Sequence, residues 1–285
     1  MTAGSAAAAP GGIVQPLIAG TLVAVVGYAS TFTLILTGLG AVGATPAQAS
    51  SGLLAVAGTM GALSLGVALW TRKPILFAWS TPGAAFLITA GPPEGGFAAV
   101  IGAFIMTGIL LVLAGMVRPF ARMIAAIPQP IANAMLVGIL LSLCLAPIKA
   151  IELLPQLALP VVLSWALALR FARRYAVPIA VLATAIILAA TTRLPPEVFV
   201  LEWPRLEFVW PVFTLDAFLR FSLPLFIITM ASQNLPGLAV LRANGYDVNP
   251  APYFVLTGAA TAVTAPAGAI PVNLAAITAA IGASA

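Results

Sequence analysis

The sequence predicts an all-α polytopic membrane protein, and three observations lead to that fold class. Of the 285 residues, 62% are hydrophobic and only 7% are charged, whereas soluble domains carry about 25% charged residues. Nearly charge-free runs recur along the chain, each close to the roughly 20 residues that a helix needs to cross a bilayer core of about 30 Å. These runs are unbroken in Leu, Ala, Val and Ile, which excludes a closed barrel of short alternating strands.

Apolar runs and helix breakers divide the chain into ten predicted membrane segments after a short tail. The tail, residues 1–12, lacks the charged start of a signal peptide and is predicted to be disordered. The segments follow in the order 14–39, 52–70, 75–90, 97–117, 131–148, 155–170, 177–192, 223–242, 252–265 and from 271 onward. The third and the tenth of them are interrupted by proline and glycine.

The distribution of charge predicts that the N-terminus is cytoplasmic. In that orientation the inner loops collect eight of the 12 Lys and Arg residues against one acid, Asp247, and the outer side collects four against six acids. This asymmetry is what the positive-inside rule requires. The polar, aromatic stretch 193–222, with Trp203 and Trp210, then falls outside and is predicted to be an amphipathic segment at the outer membrane surface.

The third segment, which contains AWSTPGAAFL, is broken in the middle of an apolar run. Pro82 removes a main-chain donor and biases the preceding residue away from the helical region. We therefore expect an extended piece over 75–79 and then a half helix, with Ser80 or Thr81 as its N-cap. Non-helical backbone at membrane depth is tolerated only beside protein or a water-filled cavity. Ser80, Thr81 and Gly83 are therefore predicted to face a site.

The tenth segment, TAPAGAIPVNLAAITAAI, is interrupted in a similar way. Pro266, Gly268 and Pro271 prevent a regular helix, and Asn273 is expected to open a second half helix over 274–281. Two half-helix starts that point at each other present free N–H groups and positive dipole ends, each equivalent to about half a charge. The sequence therefore predicts an anion site of the kind that transporters build from discontinuous helices.

The eighth segment carries three consecutive polar residues, Ser232, Gln233 and Asn234, in mid-membrane. Neutral groups suit a substrate that brings its own negative charge, because a fixed carboxylate would repel it. Hydrogen bonds to neighbouring helices are the alternative explanation. Three residues in a row cannot all face one neighbour, so we expect at least one to contact a ligand.

Aromatic residues near the break could form the apolar wall of a pocket for a small ligand. Trp79, Phe86 and Phe32 are the candidates for that wall, and Tyr28 and Thr31 of the first segment are candidates for lining the same cavity. Ordinary packing is the alternative for each of them. A benzene ring lying against such a wall would leave its polar substituent free to meet the half-helix start.

Catalysis, metal binding and a cofactor are not expected. The chain has no His, and its seven carboxylates lie in or near loops, so no dyad, triad or metal shell can be assembled in the membrane. The scattered basic residues are explained by topology, so no nucleic acid is expected as a partner. A coupled proton would have to travel on a border acid such as Asp216 or Glu94, on a residue not evident here, or with a substrate carboxyl group.

Four stretches carry a resemblance to a known family: GATPAQASSG at 43–52, AWSTPGAA at 78–85, TMASQNLPGLAVLRANGY at 229–246 and VNLAAITAAI at 272–281. Together they resemble the benzoate:proton symporter family of bacterial inner membranes, which is similar in fold to uracil permeases. The resemblance implies fourteen segments in two inverted sevens. It also implies a core domain, here 13–117 and 223–285, that moves against a gate domain, here 118–192.

The resemblance implies import of benzoate or a similar aromatic carboxylate with a proton by alternating access. Main-chain N–H groups at Ser80 to Gly83 and around Asn273 would hold the carboxylate, and the polar triplet of the eighth segment would complete the shell. A lipid bilayer is the implied environment, and a homodimer is left open. Alternatives are a nucleobase or inorganic-anion carrier on the same fold, an anion channel, and a non-transporting scaffold.

The sequence departs from this family pattern in two ways. It stops within the tenth segment, so we expect a fragment that lacks the last four segments and half of the gate. Before VNLAAIT, the stretch AGAIP offers no ionisable group, which puts a proton-coupling role at that position in doubt.

Overall fold

The computed structural model describes residues 28, 31–117, 141, 144–172, 175–191, 203–246 and 248–275. In these ranges the chain is mostly helical, with one small sheet. The helices are α1 (Thr31–Ala41), α2 (Pro46–Thr71), α3 (Thr81–Ala90), α4 (Gly96–Met116), α5 (Ala146–Leu153), α6 (Pro155–Phe171), α7 (Ala176–Thr191), α8 (Leu215–Arg242) and α9 (Ala251–Thr264), and the strands are β1 (Phe77–Trp79) and β2 (Val272–Leu274).

Three of the described helices, α2, α4 and α8, are long and apolar enough to cross a membrane. The others are shorter, and several of them are equally apolar. A helical membrane protein is therefore confirmed. The inverted repeat stays a prediction, and the tail 1–12 and the second half helix over 276–281 lie outside the described residues.

Most predicted segments agree with helices, and the differences have local causes. The second helix begins at Pro46 rather than near residue 52, because Thr45 and Gln48 form a capping box that starts it earlier. The eighth begins at Leu215 rather than 223, because the Thr214 side chain accepts a hydrogen bond from Ala217 N–H and caps it there. Residues 215–222 are thus helical and continuous with the eighth segment.

Helix α8 is irregular where its most polar residues lie. Two of its turns, Phe218–Ser222 and Met230–Asn234, are π-helical. A π turn adds a residue to the helical turn and displaces the side chains around it, and such turns are frequent at functional sites. The second one contains all three members of the predicted polar triplet.

Two glycines allow α4 and α9 to pack closely along their length. A Cβ atom on Gly108 would lie 2.6 Å from the Gly258 carbonyl oxygen, and one on Gly258 would lie 2.5 Å from the Gly108 carbonyl oxygen. Small residues at such crossings let helix backbones approach in membranes. Elsewhere α5 packs on α6 and α6 on α7.

The segment 203–214, between α7 and α8, is extended and tied to the helices by its main chain. Val209 N–H donates to the Pro266 carbonyl at 2.8 Å, and Val212 N–H donates to the Ala98 carbonyl at 2.9 Å. Its large side chains, including Trp203, Phe208 and Trp210, are strongly exposed. That exposure suits the outer membrane interface, which stays a prediction for this segment.

Candidate functional site

The two strands form an antiparallel ladder that is buried inside the protein. Ala78 lies opposite Asn273 in the register. The ladder is extended at one end by Ser80 N–H, which donates to the Pro271 carbonyl at 3.2 Å, and at the other by Ala275 N–H, which donates to the Leu76 carbonyl at 2.9 Å. Prolines prevent a helix here, and each strand satisfies the other's backbone away from water.

The outer edge of β2 is satisfied by side chains instead of a third strand. Val272 N–H donates to Thr261 Oγ1 of α9 at 3.0 Å, and Leu274 N–H donates to Asn234 Oδ1 of α8 at 2.8 Å. Both acceptors are fully buried. Backbone donors without water must find such partners, so Asn234 and Thr261 fix the position of the strand.

Asn273 lies in the middle of β2, which corrects its predicted place at the opening of a half helix. The residue pairs with Ala78 in the ladder, so its main chain is committed to the sheet. Its side chain is fully buried. With the amide oriented so that both groups bond, Oδ1 accepts from Ser80 N–H at 3.1 Å and Nδ2 donates to the Leu274 carbonyl at 3.0 Å.

The predicted half helix of the third segment is present as α3. Ser80 is its N-cap, and the Ser80 hydroxyl accepts from Gly83 N–H at 3.1 Å. Pro82 stands in the first turn and has no N–H to satisfy. Ser80 N–H is bound to the ladder, so in this turn only the Thr81 main-chain N–H makes no hydrogen bond with a described residue.

Aromatic residues surround the end of β1, next to this free N–H. The rings of Tyr28 and Phe32 stack with centroids 5.7 Å apart, and Tyr28 meets Trp79 edge-on, also at 5.7 Å. Trp79 Nε1–H donates to Thr31 Oγ1 at 3.2 Å. The structure thus brings these four predicted residues together. Phe86 lies elsewhere, with its ring edge-on to that of Phe221 in α8.

The polar triplet of α8 divides into two kinds of side chain. Ser232 donates to the Ile228 carbonyl of its own helix at 2.5 Å, and Asn234 holds β2 and donates to Met230 Sδ at 3.3 Å. Gln233 is only 9% exposed and makes no side-chain hydrogen bond with any described residue. Gln233 is therefore the triplet member free to bind something else.

Thr229 is a polar residue of α8 that the sequence did not single out. Its side chain is fully buried, and its Oγ1 has no hydrogen-bond partner. Eight other threonines in the described helices donate to the carbonyl four residues earlier: Thr37, Thr59, Thr71, Thr107, Thr184, Thr191, Thr261 and Thr264. The sequence could have indicated Thr229 by its position, four residues before Gln233 and therefore on the same helix face.

Helix α8 runs antiparallel to the β1–α3 segment. Near its start, Arg220 Nη2–H donates to the Ala90 carbonyl at the C-terminal end of α3, at 3.2 Å. One turn later, Leu225 Cδ2 would lie 3.3 Å from a Cβ atom on Gly83, in the first turn of α3. Two points of contact thus align the first part of α8 with the whole of α3.

The third point of contact lies further along α8, where Asn234 accepts a hydrogen bond from Leu274 N–H of β2. The stretch of α8 between Leu225 and Asn234 therefore passes the junction of the ladder and α3. Thr229 and Gln233 follow Leu225 at intervals of four residues, which keeps them on the helix side that faces α3. The two unpartnered polar side chains thus lie at the level of the free N–H group and the aromatic residues.

Charged residues are absent from this site in the part of the chain that the structure describes. The strands, α1, α3 and α4 contain no Asp, Glu, Lys or Arg. On α8 the nearest are Arg220, nine residues before Thr229, and Arg242, nine residues after Gln233, each roughly 13 Å away along the axis at 1.5 Å per residue. No group of metal-ligating side chains occurs among the described residues.

Sequence comparisons show which known proteins this chain is similar to. The sequence profile of a family described as BenE, benzoate membrane transport protein, matches residues 13–285. "Inner membrane protein YdcO" of Escherichia coli K12 is 39% identical over 265 residues, which are 93% of this chain and 68% of that protein. "Benzoate membrane transport protein" of Acinetobacter baylyi is 30% identical over 223 residues, 78% of this chain and 56% of that protein.

Proposed function

We propose, from the premise that this chain belongs to the BenE family of benzoate membrane transport proteins, that it imports benzoate or a similar small aromatic carboxylate. The family consists of membrane transporters and not of enzymes. We further propose that a proton accompanies the substrate and that transport follows alternating access. The inner membrane of a bacterium is the proposed location, since one relative is described as an inner membrane protein.

One observation carries this proposal. The aromatic residues Tyr28, Phe32 and Trp79 lie beside the start of α3, where a free main-chain N–H and the positive end of a helix dipole are available. A benzene ring matches the aromatic wall, and a carboxyl group matches the helix start. Small-ligand sites combine a mostly apolar lining with few polar groups in this way.

Alternating access is supported by the way in which the site is built. Buried hydrogen bonds join the ladder to its neighbours: the main chain of β2 donates to Asn234 of α8 and to Thr261 of α9. At the start of α3, Gly83 N–H donates to the Ser80 hydroxyl. A unit held together in this way can move as one body against the rest of the protein. The gate domain proposed to oppose it, 118–192, is only partly covered by the described residues.

Uptake of labelled benzoate by proteoliposomes tests the function. The protein should be made from its complete reading frame, because this chain spans about two thirds of one relative and little more than half of the other. Uptake should be measured well above the pKa of benzoic acid, with protein-free vesicles subtracted, because the neutral acid crosses lipid unaided. We expect saturable uptake that an alkaline interior accelerates.

Other outcomes separate the alternatives. Saturable uptake of a nucleobase or of sulfate, with none of benzoate, would indicate another carrier on the same fold. Flux that never saturates and follows only the membrane voltage would indicate an anion channel. Either result would contradict the proposal, and so would benzoate uptake that is unaffected by the pH gradient.

A further inference from the structure

The main chain at the start of α3 supplies too few hydrogen-bond donors for a bare carboxylate. A buried carboxylate is stabilised by two or three N–H donors or by a cation. Here Ser80 N–H binds the ladder, Gly83 N–H binds the Ser80 hydroxyl, and Pro82 has none. Among the main-chain donors of this turn, only the Thr81 N–H has no partner in the described part of the chain.

Neither arginine of α8 makes up the shortfall. Arg220 is engaged with the Ala90 carbonyl and lies 3.5 Å from Asp216, at the outer end of α8. Arg242 is exposed near the other end of the same helix. The titratable group nearest the site is the Tyr28 hydroxyl, and β1, β2, α3 and α4 carry none. An ionised guest would therefore carry an uncompensated charge at membrane depth, which is costly.

Two buried side chains at the same level offer what a neutral acid needs. Thr229 Oγ1 has no partner and Gln233 has none among the described residues. A hydroxyl and an amide oxygen can each accept a hydrogen bond from an acid O–H. A protonated carboxyl group has one acceptor to place on the Thr81 N–H and one donor to place on one of these two side chains of α8.

We propose that the coupled proton is carried by the substrate itself, so that the occupied site holds a neutral aromatic acid. The carboxylate takes a proton from the medium on the side of uptake, its C=O accepts from Thr81 N–H, and its O–H donates to Thr229 Oγ1 or Gln233 Oε1. On the other side the acid dissociates, and proton and anion leave together. This inference rests on the proposed function and adds the protonation state of the bound species.

Benzoates of graded acidity provide the first test. At one pH above the pKa of every analogue, the neutral fraction falls about tenfold for each unit by which the acid is stronger. We expect KM, expressed as total substrate, to rise by that factor along a para-substituted series of similar size. KM expressed as neutral acid should stay nearly constant. A KM for total substrate that is flat or only weakly dependent on substrate pKa would overturn the inference.

A neutral isostere provides the second test. Benzamide keeps the ring and the C=O and replaces the acid O–H by an N–H donor. We expect it to inhibit benzoate uptake competitively, with an inhibition constant that does not change with pH. Nitrobenzene, which has two acceptor oxygens and no donor, is the matched control and should inhibit at least tenfold more weakly. Lack of inhibition by benzamide would contradict a site for the neutral acid.

Variants of α8 connect the result to the named residues. Thr229→Val or Gln233→Leu, whichever removes the acceptor of the acid O–H, should raise the KM for benzoate and weaken benzamide inhibition by the same factor, roughly tenfold for one lost hydrogen bond. If neither variant raises the KM, the inference is wrong. Thr229→Ser, which keeps the hydroxyl, should restore both. Thr184→Val on α7 is the control, because that hydroxyl binds the Ala180 carbonyl of its own helix. Unequal effects on benzoate and benzamide would count against a shared acid-binding contact.

The failures of the two proposals can be told apart. Absence of saturable benzoate uptake would remove the proposed function and this inference with it. Saturable, proton-dependent uptake with a KM that ignores substrate pKa, and without benzamide inhibition, would leave the function standing. In that event the proton would be bound by the protein and not by the substrate.

Discussion

At the scale of single residues, buried hydrogen-bond donors decide which polar side chains remain available for a ligand. Gln233 and Asn234 are neighbours of similar chemistry in one π turn. Asn234 Oδ1 accepts from Leu274 N–H at 2.8 Å, whereas the Gln233 amide has no described partner. An unpaired main-chain N–H buried in the protein costs about 1 to 3 kcal/mol. We therefore assign Asn234 to the position of β2 and Gln233 to the site.

Replacing Asn234 tests this difference. Asn234→Leu leaves the Leu274 N–H without an acceptor, so we expect unfolding to become easier by about 1 to 3 kcal/mol. Thermal unfolding in detergent measures it. Asn244→Leu is the control, because that exposed side chain binds only the Val240 carbonyl of its own helix. An Asn234→Leu protein with unchanged stability and a raised KM would show that Asn234 contacts the substrate instead.

At the scale of elements, the start of α3 depends on the absence of a side chain at Gly83. A Cβ atom there would lie 2.8 Å from the Ser80 hydroxyl oxygen and 3.3 Å from Leu225 Cδ2. The Ser80 hydroxyl is the group that caps α3. A methyl group would therefore displace the cap and separate α3 from α8 at the level of the proposed site.

A pair of glycine substitutions measures this constraint. Gly83→Ala should destabilise the protein by about 1 to 3 kcal/mol through overpacking and reduce benzoate uptake severely. Gly58→Ala, inside α2 with nothing within 4 Å of the added atom, should instead stabilise by roughly 0.5 to 1 kcal/mol. Unfolding temperature and uptake should be read together. Equal behaviour of the two variants would contradict a tight contact at Gly83.

At the scale of the whole molecule, the charges at the two ends of the helices predict how the protein lies in the membrane. Glu94 lies in the loop between α3 and α4, and Arg242 lies at the end of α8. The positive-inside rule places the Arg242 end in the cytoplasm. The loop that carries Glu94 then faces outward, as does the extended segment 203–214.

Thiol labelling tests this orientation. In a Cys144→Ser background, an impermeant maleimide added to intact cells should label the Glu94→Cys variant. The Arg242→Cys variant should be labelled only after the membrane is opened. Both wild-type side chains are exposed, so access depends on the side of the membrane. The reverse labelling pattern would mean that the N-terminus is outside.

Much of the site could be predicted from the chain because proline and glycine act locally. Pro82 and the Ser80 cap locate the start of α3 correctly, and the breaks around Pro266 and Pro271 locate the end of the regular helix α9. The start of α8 at Leu215 was missed, because Thr214 caps it ahead of a π turn. The role of Asn273 was missed because its neighbours favour a helix, while pairing with Ala78 holds it in a strand.

The sequence by itself determined that this is a helical membrane protein and where its helices are interrupted, because hydropathy, charge and backbone breakers act over short stretches of chain. Only the tertiary structure decided that Val272 to Leu274 pair with Phe77 to Trp79, about two hundred residues apart. It alone decided that Asn234 accepts from a main-chain N–H while Thr229 Oγ1 and the Gln233 side chain have no hydrogen-bond partner among the described residues. Each of those roles depends on whether a hydrogen bond forms between residues that are far apart in the sequence. The local sequence around a residue does not reveal such a distant partner.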